Sequence, residues 1–246
     1  MSFEPRQAMV HQIVARMRFP GPNYYEVLRW VHEELKPETY LEIGVYRGRS
    51  LSLAVPPTIA LGIDPLPRVD HQWQTPTQIL AMTSTEFFSQ RSLAEFFPAN
   101  RFSLAFIDGF HRFEQAIEDI LNLESFAQPG SVIAVHDTIP LDDKTADRTR
   151  RTDFHTGDVW KVVPFLKEFR PNLKMITVRT GPSGLTLMRG LDSSRGKSRL
   201  NTEAVVRFRE LPWEYYKQHR DEFLETIPNE RDALARWLSN CGCRPA

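Results

Sequence analysis

Apolar positions follow two different periods along this chain, and the change of period marks its organisation. From Arg6 to Met17 the residues Met9, Val10, Ile13, Val14 and Met17 recur at helical spacing, and Pro20-Gly21-Pro22 breaks the run. Tyr24, Val27, Leu28, Val31 and Leu35 mark one face of a second helix, which Pro37 stops. From Thr39 the pattern becomes short apolar runs separated by helical segments, as in a parallel sheet covered by helices on both faces. Tyr40 to Val45, Thr58 to Ile63, Ile79 to Met82, Phe102 to Ile107 and Ser131 to Val135 are the five predicted strands. Helical segments near Ser50 to Val55, Thr85 to Phe97 and Phe113 to Phe126 would cross between them right-handedly. Lys174 to Thr180 and Leu185 to Arg189, joined by Gly181-Pro182-Ser183-Gly184, read as an antiparallel edge hairpin, which makes seven strands.

The fold expected from this pattern is α/β, a Rossmann-like doubly wound sheet that is mostly parallel. It would occupy residues 39–190, after an N-terminal helical segment (1–38) and before a linker and C-terminal helical appendage (191–246). Leu191 to Arg199, rich in Gly, Ser and Arg, is the linker, and Thr202 to Leu238 is helical in pattern throughout. Leu141 to Asp153 carries Asp142, Asp143, Asp147, Arg148, Arg150 and Arg151. It is either a solvated loop or, given its place beyond a central strand, a lid over a substrate.

Length and charge narrow the function classes. A chain of 246 residues accommodates one domain of roughly 200 residues with a modest appendage. Lys and Arg number 31 and Asp and Glu 31, so no basic field gathers nucleic acid or an anionic membrane. With no signal-peptide core and no long apolar run, the chain reads as soluble and cytoplasmic. Cys241 and Cys243 are too close for an unstrained bridge and too few for zinc, and read as free thiols.

The chemistry gathers at strand ends. Tyr40-Leu41-Glu42-Ile43-Gly44-Val45-Tyr46-Arg47-Gly48-Arg49-Ser50 runs from a strand through a glycine turn into a helix. Gly44 permits a sharp turn and close ligand approach, Gly48 relieves crowding, and the amides near Gly48 to Leu51 could receive a carboxylate. The spacing is Gly-x-x-x-Gly, which argues against a dinucleotide cofactor and so against a nicotinamide-dependent oxidoreductase. Asp64, about 20 residues on, ends the second strand where a carboxylate can accept both ribose hydroxyls, or merely serve the turn at Pro65. Ser84 and Thr85 are helix caps within reach of a base edge. Asp108 and His111 end strand four and His136 and Asp137 end strand five, a convergence that packing alone explains poorly.

These residues resemble the class I S-adenosylmethionine-dependent methyltransferases, in particular the bacterial group of macrocin-type sugar O-methyltransferases and cephalosporin-hydroxylase-like proteins. The resemblance spans about residues 24 to 190 and rests on Glu42-Ile-Gly-Val-Tyr-Arg-Gly-Arg-Ser50, Phe106-Ile-Asp-Gly-Phe-His111 with Glu114, and Gly130-Ser-Val-Ile-Ala-Val-His-Asp137. It implies that Glu42, Gly44 and Gly48, with Tyr46 and Ser50 in the same turn, hold the methionine end of S-adenosylmethionine. Asp64 would hold the ribose, Ser84 and Thr85 the adenine, and Asp108 the neighbourhood of the sulfonium. Some relatives bind magnesium through an Asp after strand four and an acidic pair after strand five. The equivalent set here, Asp108, His136 and Asp137, substitutes an imidazole for one oxygen ligand and disfavours that ion.

The expected activity is methylation, most simply O-methylation of a small molecule such as a sugar or natural product. His111 and His136 are the candidate bases, His111 preferred, with Asp108 and Asp137 positioning the acceptor or a divalent ion. Phe110, Phe154 and Trp160 are aromatic candidates either for stacking on the acceptor or for the core, where aromatics in such positions stand at least as often. A competing reading is a cofactor-binding accessory protein of the same fold that transfers no methyl group. The apolar faces of the N-terminal helix and of Trp213 to Trp237 suit either a homo-oligomer or capping of the sheet.

Overall fold

The computed structural model describes residues 5–195 and 201–239; Cys241, Cys243 and the end of the expected linker lie outside them. A mixed sheet of eight strands runs in the order β3-β2-β1-β4-β5-β7-β6-β8. The strands are β1 (Thr39–Ile43), β2 (Ile59–Ile63), β3 (Thr77–Leu80), β4 (Phe102–Ile107), β5 (Ala127–His136), β6 (Lys174–Val178), β7 (Leu185–Arg189) and β8 (Thr226–Ile227). The helices are α1 (Pro5–Arg18), α2 (Tyr24–Leu35), α3 (Ser84–Gln90), α4 (Phe113–Glu124), α5 (Val162–Phe169), α6 (Thr202–Arg209), α7 (Trp213–Phe223) and α8 (Arg231–Ser239). β1 to β5 pair in parallel, and β7 runs antiparallel to both β5 and β6.

All five residues of β1 are buried because both of its faces are covered. Leu41 and Ile43 face a layer that includes Phe87 of α3, Ile117 of α4 and Phe165 of α5. Tyr40 faces Val27, Leu28 and Val31 of α2 with Leu234 and Leu238 of α8. A third cluster joins α1, α5, α7 and the segment after β5 around Trp160, Tyr216 and Phe223.

Four local expectations change. The stretch read as wholly helical, Thr202 to Leu238, contains β8, whose Thr226 and Ile227 pair with Thr177 and Val178 and make the eighth strand. Two β-branched residues before Pro228 suit a sheet edge better than a helix. The helix expected over Ser50 to Val55 is only a 3-10 turn, Leu51–Leu53, ahead of Pro56-Pro57. The helix expected to reach Phe97 ends at Gln90, and Ser92 caps a separate short turn.

The fourth concerns α1, whose apolar residues face outward: Met9 is 63 % and Met17 79 % exposed. Its buried side is Ala15 with His11, set against the segment after β5, where His11 Nε2 lies 3.3 Å from Asp142 and Arg18 donates to the carbonyl oxygens of Pro140 and Leu141. Among the described residues no helix is long and apolar enough to cross a membrane.

Candidate functional site

The sheet order reverses between β1 and β4, and a crevice forms where their carboxyl ends diverge. A cavity of about 910 Å³ lies there, lined by Gly44, Asp64, Ser84, Asp108, His111 and Asp137 among others. Gly44 has φ +91°, and a Cβ on it would sit 2.1 Å from the Asp108 carbonyl oxygen. Only glycine lets β1 turn this close to β4. Gly48 has φ +82° and serves packing, since a Cβ there would lie 2.5 Å from the Trp73 ring. Its N–H donates to Val45 O, so of the amides from Gly48 to Leu51 expected to receive a carboxylate that of Gly48 is already taken.

Asp64 makes the turn contacts of one reading and stands on the cavity wall where the other would need it. It lines the cavity, yet Oδ2 accepts from the amides of Val45 (2.9 Å) and Tyr46 (2.7 Å) and Oδ1 from that of Leu66 (2.7 Å). The carboxylate thereby ties the β2 end to the β1 turn, and Tyr46, at φ 46°, lines the cavity beside it. Glu42 and Ser50 stand apart from the lining residues. Glu42 is fully buried, with Tyr40 Oη at 2.6 Å and Ser50 Oγ at 2.7 Å from its carboxyl. Burial pushes it up to about 8, against the pull of the Tyr40 and Ser50 hydroxyls.

Beyond Asp64, the cap of α3 is Thr83 rather than Ser84 or Thr85: Glu86 N donates to Thr83 Oγ1 at 3.2 Å, and Thr83 N donates to Glu86 Oε2 at 2.8 Å. This frees the Ser84 and Thr85 hydroxyls for a partner the sequence did not flag, Gln115 of α4. Its Nε2 lies 3.3 Å from each hydroxyl and 3.1 Å from Oδ1 of Asp119, which is buried. Burial pushes Asp119 up to about 7, against the bonds it accepts from Ser84 and Gln115.

Over the β4 and β5 ends, two aspartates and two histidines interlock. His111 Nδ1 donates to His155 O at 2.7 Å and lies 3.2 Å from Asp137 Oδ2, while Nε2 faces Asp108 Oδ1 at 3.6 Å. His136 Nδ1 is 3.2 Å from Asp108, and its ring stacks on Tyr24 at 4.0 Å. Ser183, from the hairpin turn, holds Asp137 Oδ1 at 2.5 Å. Asp137 adopts φ 63°, a left-handed strain placed in the site itself. Burial opposes charge on both imidazoles, but the two carboxylates prevail, pushing His111 up to about 9 and raising His136. Asp108, despite its burial, is held well below the usual carboxylate range by His136 and His111.

Asp108, His111 and Asp137 each offer a donor atom within 4.8 Å of the others'. His111 thus joins the two aspartates in that set, while the expected His136 also lies against both, its Nδ1 3.2 Å from Asp108 and 3.4 Å from Asp137. The His155 carbonyl fixes the tautomer that turns Nε2 toward Asp108, the kind of support a metal-binding histidine receives. Two carboxylates and an imidazole fit a divalent ion of the manganese, iron or zinc type better than magnesium.

The charged segment after β5 walls one side, contributing Arg150, Asp153, Phe154 and His155 to the lining. It is anchored by Arg148, which binds Glu114 at 2.6 Å and the buried Asp158 at 2.5 Å. Burial, then the neighbouring His111, pushes His155 down to about 4. Phe110, 65 % exposed, stands at the mouth, whereas Trp160, 1 % exposed, packs in the third cluster and does not line the cavity. His155 and Gln115 carried no signal in the sequence beyond the i, i+4 spacing of Gln115 and Asp119 on one helix.

Residues 41–138 match the family model of a methyltransferase domain. The fold is similar to that of the cofactor-bound protein Rv0187 from MTB, with 16 % identity, 77 % of this chain and 91 % of that chain covered, and a TM-score of 0.51. An O-methyltransferase from Bacillus cereus in complex with SAH (13 % identity, 76 % and 91 % covered, TM-score 0.49) is also similar. So is the O-methyltransferase TomG from Streptomyces achromogenes in complex with SAM (18 % identity, 67 % and 78 % covered, TM-score 0.47). No curated protein matches the chain.

Proposed function

We propose that this chain, a class I S-adenosylmethionine-dependent methyltransferase through its domain at residues 41–138, methylates a hydroxyl group of a small molecule at the Asp108, His111 and Asp137 cluster. The observation that carries the reading is one cavity lined both by the β1 turn with Asp64 and by that cluster, so a cofactor and an acceptor can share it. When bound, S-adenosylmethionine supplies an electrophilic methyl group. Gly44 gives it room, Asp64 faces its sugar, and Ser84 and Thr85 face its base.

The chain's remaining task is to align the acceptor and take its proton. His111 is the proton acceptor in this proposal, with Asp108 and Asp137 orienting its ring. Because the carboxylates push His111 up to about 9, it holds a proton in the free site at neutral pH. It therefore serves as base only in its deprotonated fraction, and kcat/KM should climb as pH rises through about 9. A divalent ion held by Asp108, His111 and Asp137 would supply Lewis-acid polarisation of the acceptor oxygen in place of proton acceptance by His111, since it would occupy the one lone pair of that ring. The walls from Phe110 and Phe154 suit a flat or sugar-like acceptor.

The test is a calorimetric titration with S-adenosylmethionine and S-adenosylhomocysteine, followed by turnover on sugars, phenols and small natural products. His111→Ala should cut turnover at least 100-fold with cofactor affinity kept, and should remove the alkaline rise. Equal loss of turnover and affinity, or no loss, would refute the role. Tight cofactor binding with no turnover on any acceptor would favour the accessory-protein reading.

A further inference from the structure

Gln115 stands where the cavity runs out past Asp64 toward α3, and its side-chain amide is oriented by its neighbours. Nε2 lies 3.1 Å from Asp119 Oδ1 and 3.3 Å from each of Ser84 Oγ and Thr85 Oγ1. The ionised Asp119 carboxylate can only accept and both hydroxyls are able to, which favours the nitrogen of the amide on the protein side; the flip would set Gln115 Oε1 against Asp119 Oδ1, two acceptors face to face. The carbonyl oxygen accepts no hydrogen bond among the described residues and belongs to a side chain that lines the cavity.

Building on the reading of this cavity as an S-adenosylmethionine site, we propose that Gln115 Oε1 accepts a hydrogen bond from the 6-amino group of the adenine, and that Asp119 is the positioning residue that locks the amide for this. An amino group is the donor on the adenine edge, and an oriented acceptor with no other partner is its complement. A base with an oxygen at that position would set two acceptors face to face inside a partly desolvated pocket. Sites built to pair a polar group reject analogues lacking it far more strongly than apolar sites reject a shape change. Gln115 thereby becomes the residue that selects an adenosyl ligand over other purine nucleosides, while Asp64, which faces only the sugar, is blind to the base.

The experiment compares, by calorimetry, the Kd for S-adenosylhomocysteine with that for S-inosylhomocysteine, in which a carbonyl replaces the amine. The native protein should prefer the adenosyl compound by about 10- to 100-fold, the range expected for leaving a buried polar group unpaired. Gln115→Ala, at a half-buried helix position, should fold normally and shrink that preference to about threefold or less, by weakening the adenosyl ligand alone. Asp119→Asn, which can donate as well as accept and so permits the flip, should narrow the preference while keeping Gln115 in place. If the native protein binds both compounds equally, or if Gln115→Ala retains the full preference, the assignment is wrong although the site reading stands. If the native protein binds neither compound, both the assignment and the site reading fall.

Discussion

Replacing Glu42 with glutamine should flatten the pH dependence of stability between pH 5 and 8. The carboxyl sits on β1 with no exposure to solvent, held by the Tyr40 and Ser50 hydroxyls, and burial pushes it from its ordinary 4.5 up to about 8. The folded state therefore keeps a proton that the unfolded chain releases near 4.5. Between those values the native protein binds more protons than the unfolded one, so stability falls as pH rises. The contribution is complete below pH 4.5 and gone above about 8. At about 1.4 kcal/mol per pH unit, the whole interval amounts to roughly 5 kcal/mol as an upper bound. Glutamine has the shape of the protonated acid, can pair with the same two hydroxyls, and never ionises. Urea midpoints at pH 5, 6, 7 and 8 provide the assay, with the difference between the two proteins cancelling other titrating groups. The variant should match the native protein within about 1 kcal/mol at pH 5 and exceed it by roughly 3 kcal/mol or more at pH 8. Parallel profiles across this range would show that Glu42 is ionised in the folded state and that the burial argument fails.

Two further perturbations test the frame around the cavity. Gly44→Ala places a Cβ 2.1 Å from the Asp108 carbonyl at a left-handed φ, so it should lower the melting temperature and weaken S-adenosylhomocysteine binding by more than tenfold; native-like calorimetry would contradict the close approach of β1 and β4. Asp158→Ala removes the buried carboxylate that Arg148, Lys161 and the Phe113 amide share, and should cost about 3–5 kcal/mol in urea unfolding; a loss under about 1 kcal/mol would mean the ion pairs are dispensable.

The layered fold was legible because each strand writes its environment locally. Leu41 and Ile43 alternate with Tyr40 and Glu42 across a sheet covered on both sides, and α2 shows its buried face in Val27, Leu28 and Val31. The glycine turn and the acidic strand ends were legible for the same reason, since position within a strand decides which residues reach its carboxyl edge. Apolar spacing misled where it met no partner. The regular face of α1 points to solvent, and its contact side is the less apolar pair His11 and Ala15. Trp160, open in the sequence between the mouth and the core, is a core residue, because α7 brings Tyr216 and Phe223 against it from far along the chain.

What the amino-acid order determined by itself was the parallel core of the sheet with its antiparallel hairpin, and the set of polar residues delivered to one edge. Local backbone preference and the period of burial suffice for that. Which of those residues meet was decided only in three dimensions. His111 joins the two aspartates because His155, 44 positions later, returns a carbonyl to its ring, and Gln115 faces Ser84 because α3 and α4 lie on one face of the sheet. The same holds for charge. His111 is an ordinary imidazole in the sequence and a protonated one in the fold, since two carboxylates from separate strands outweigh the burial that surrounds it.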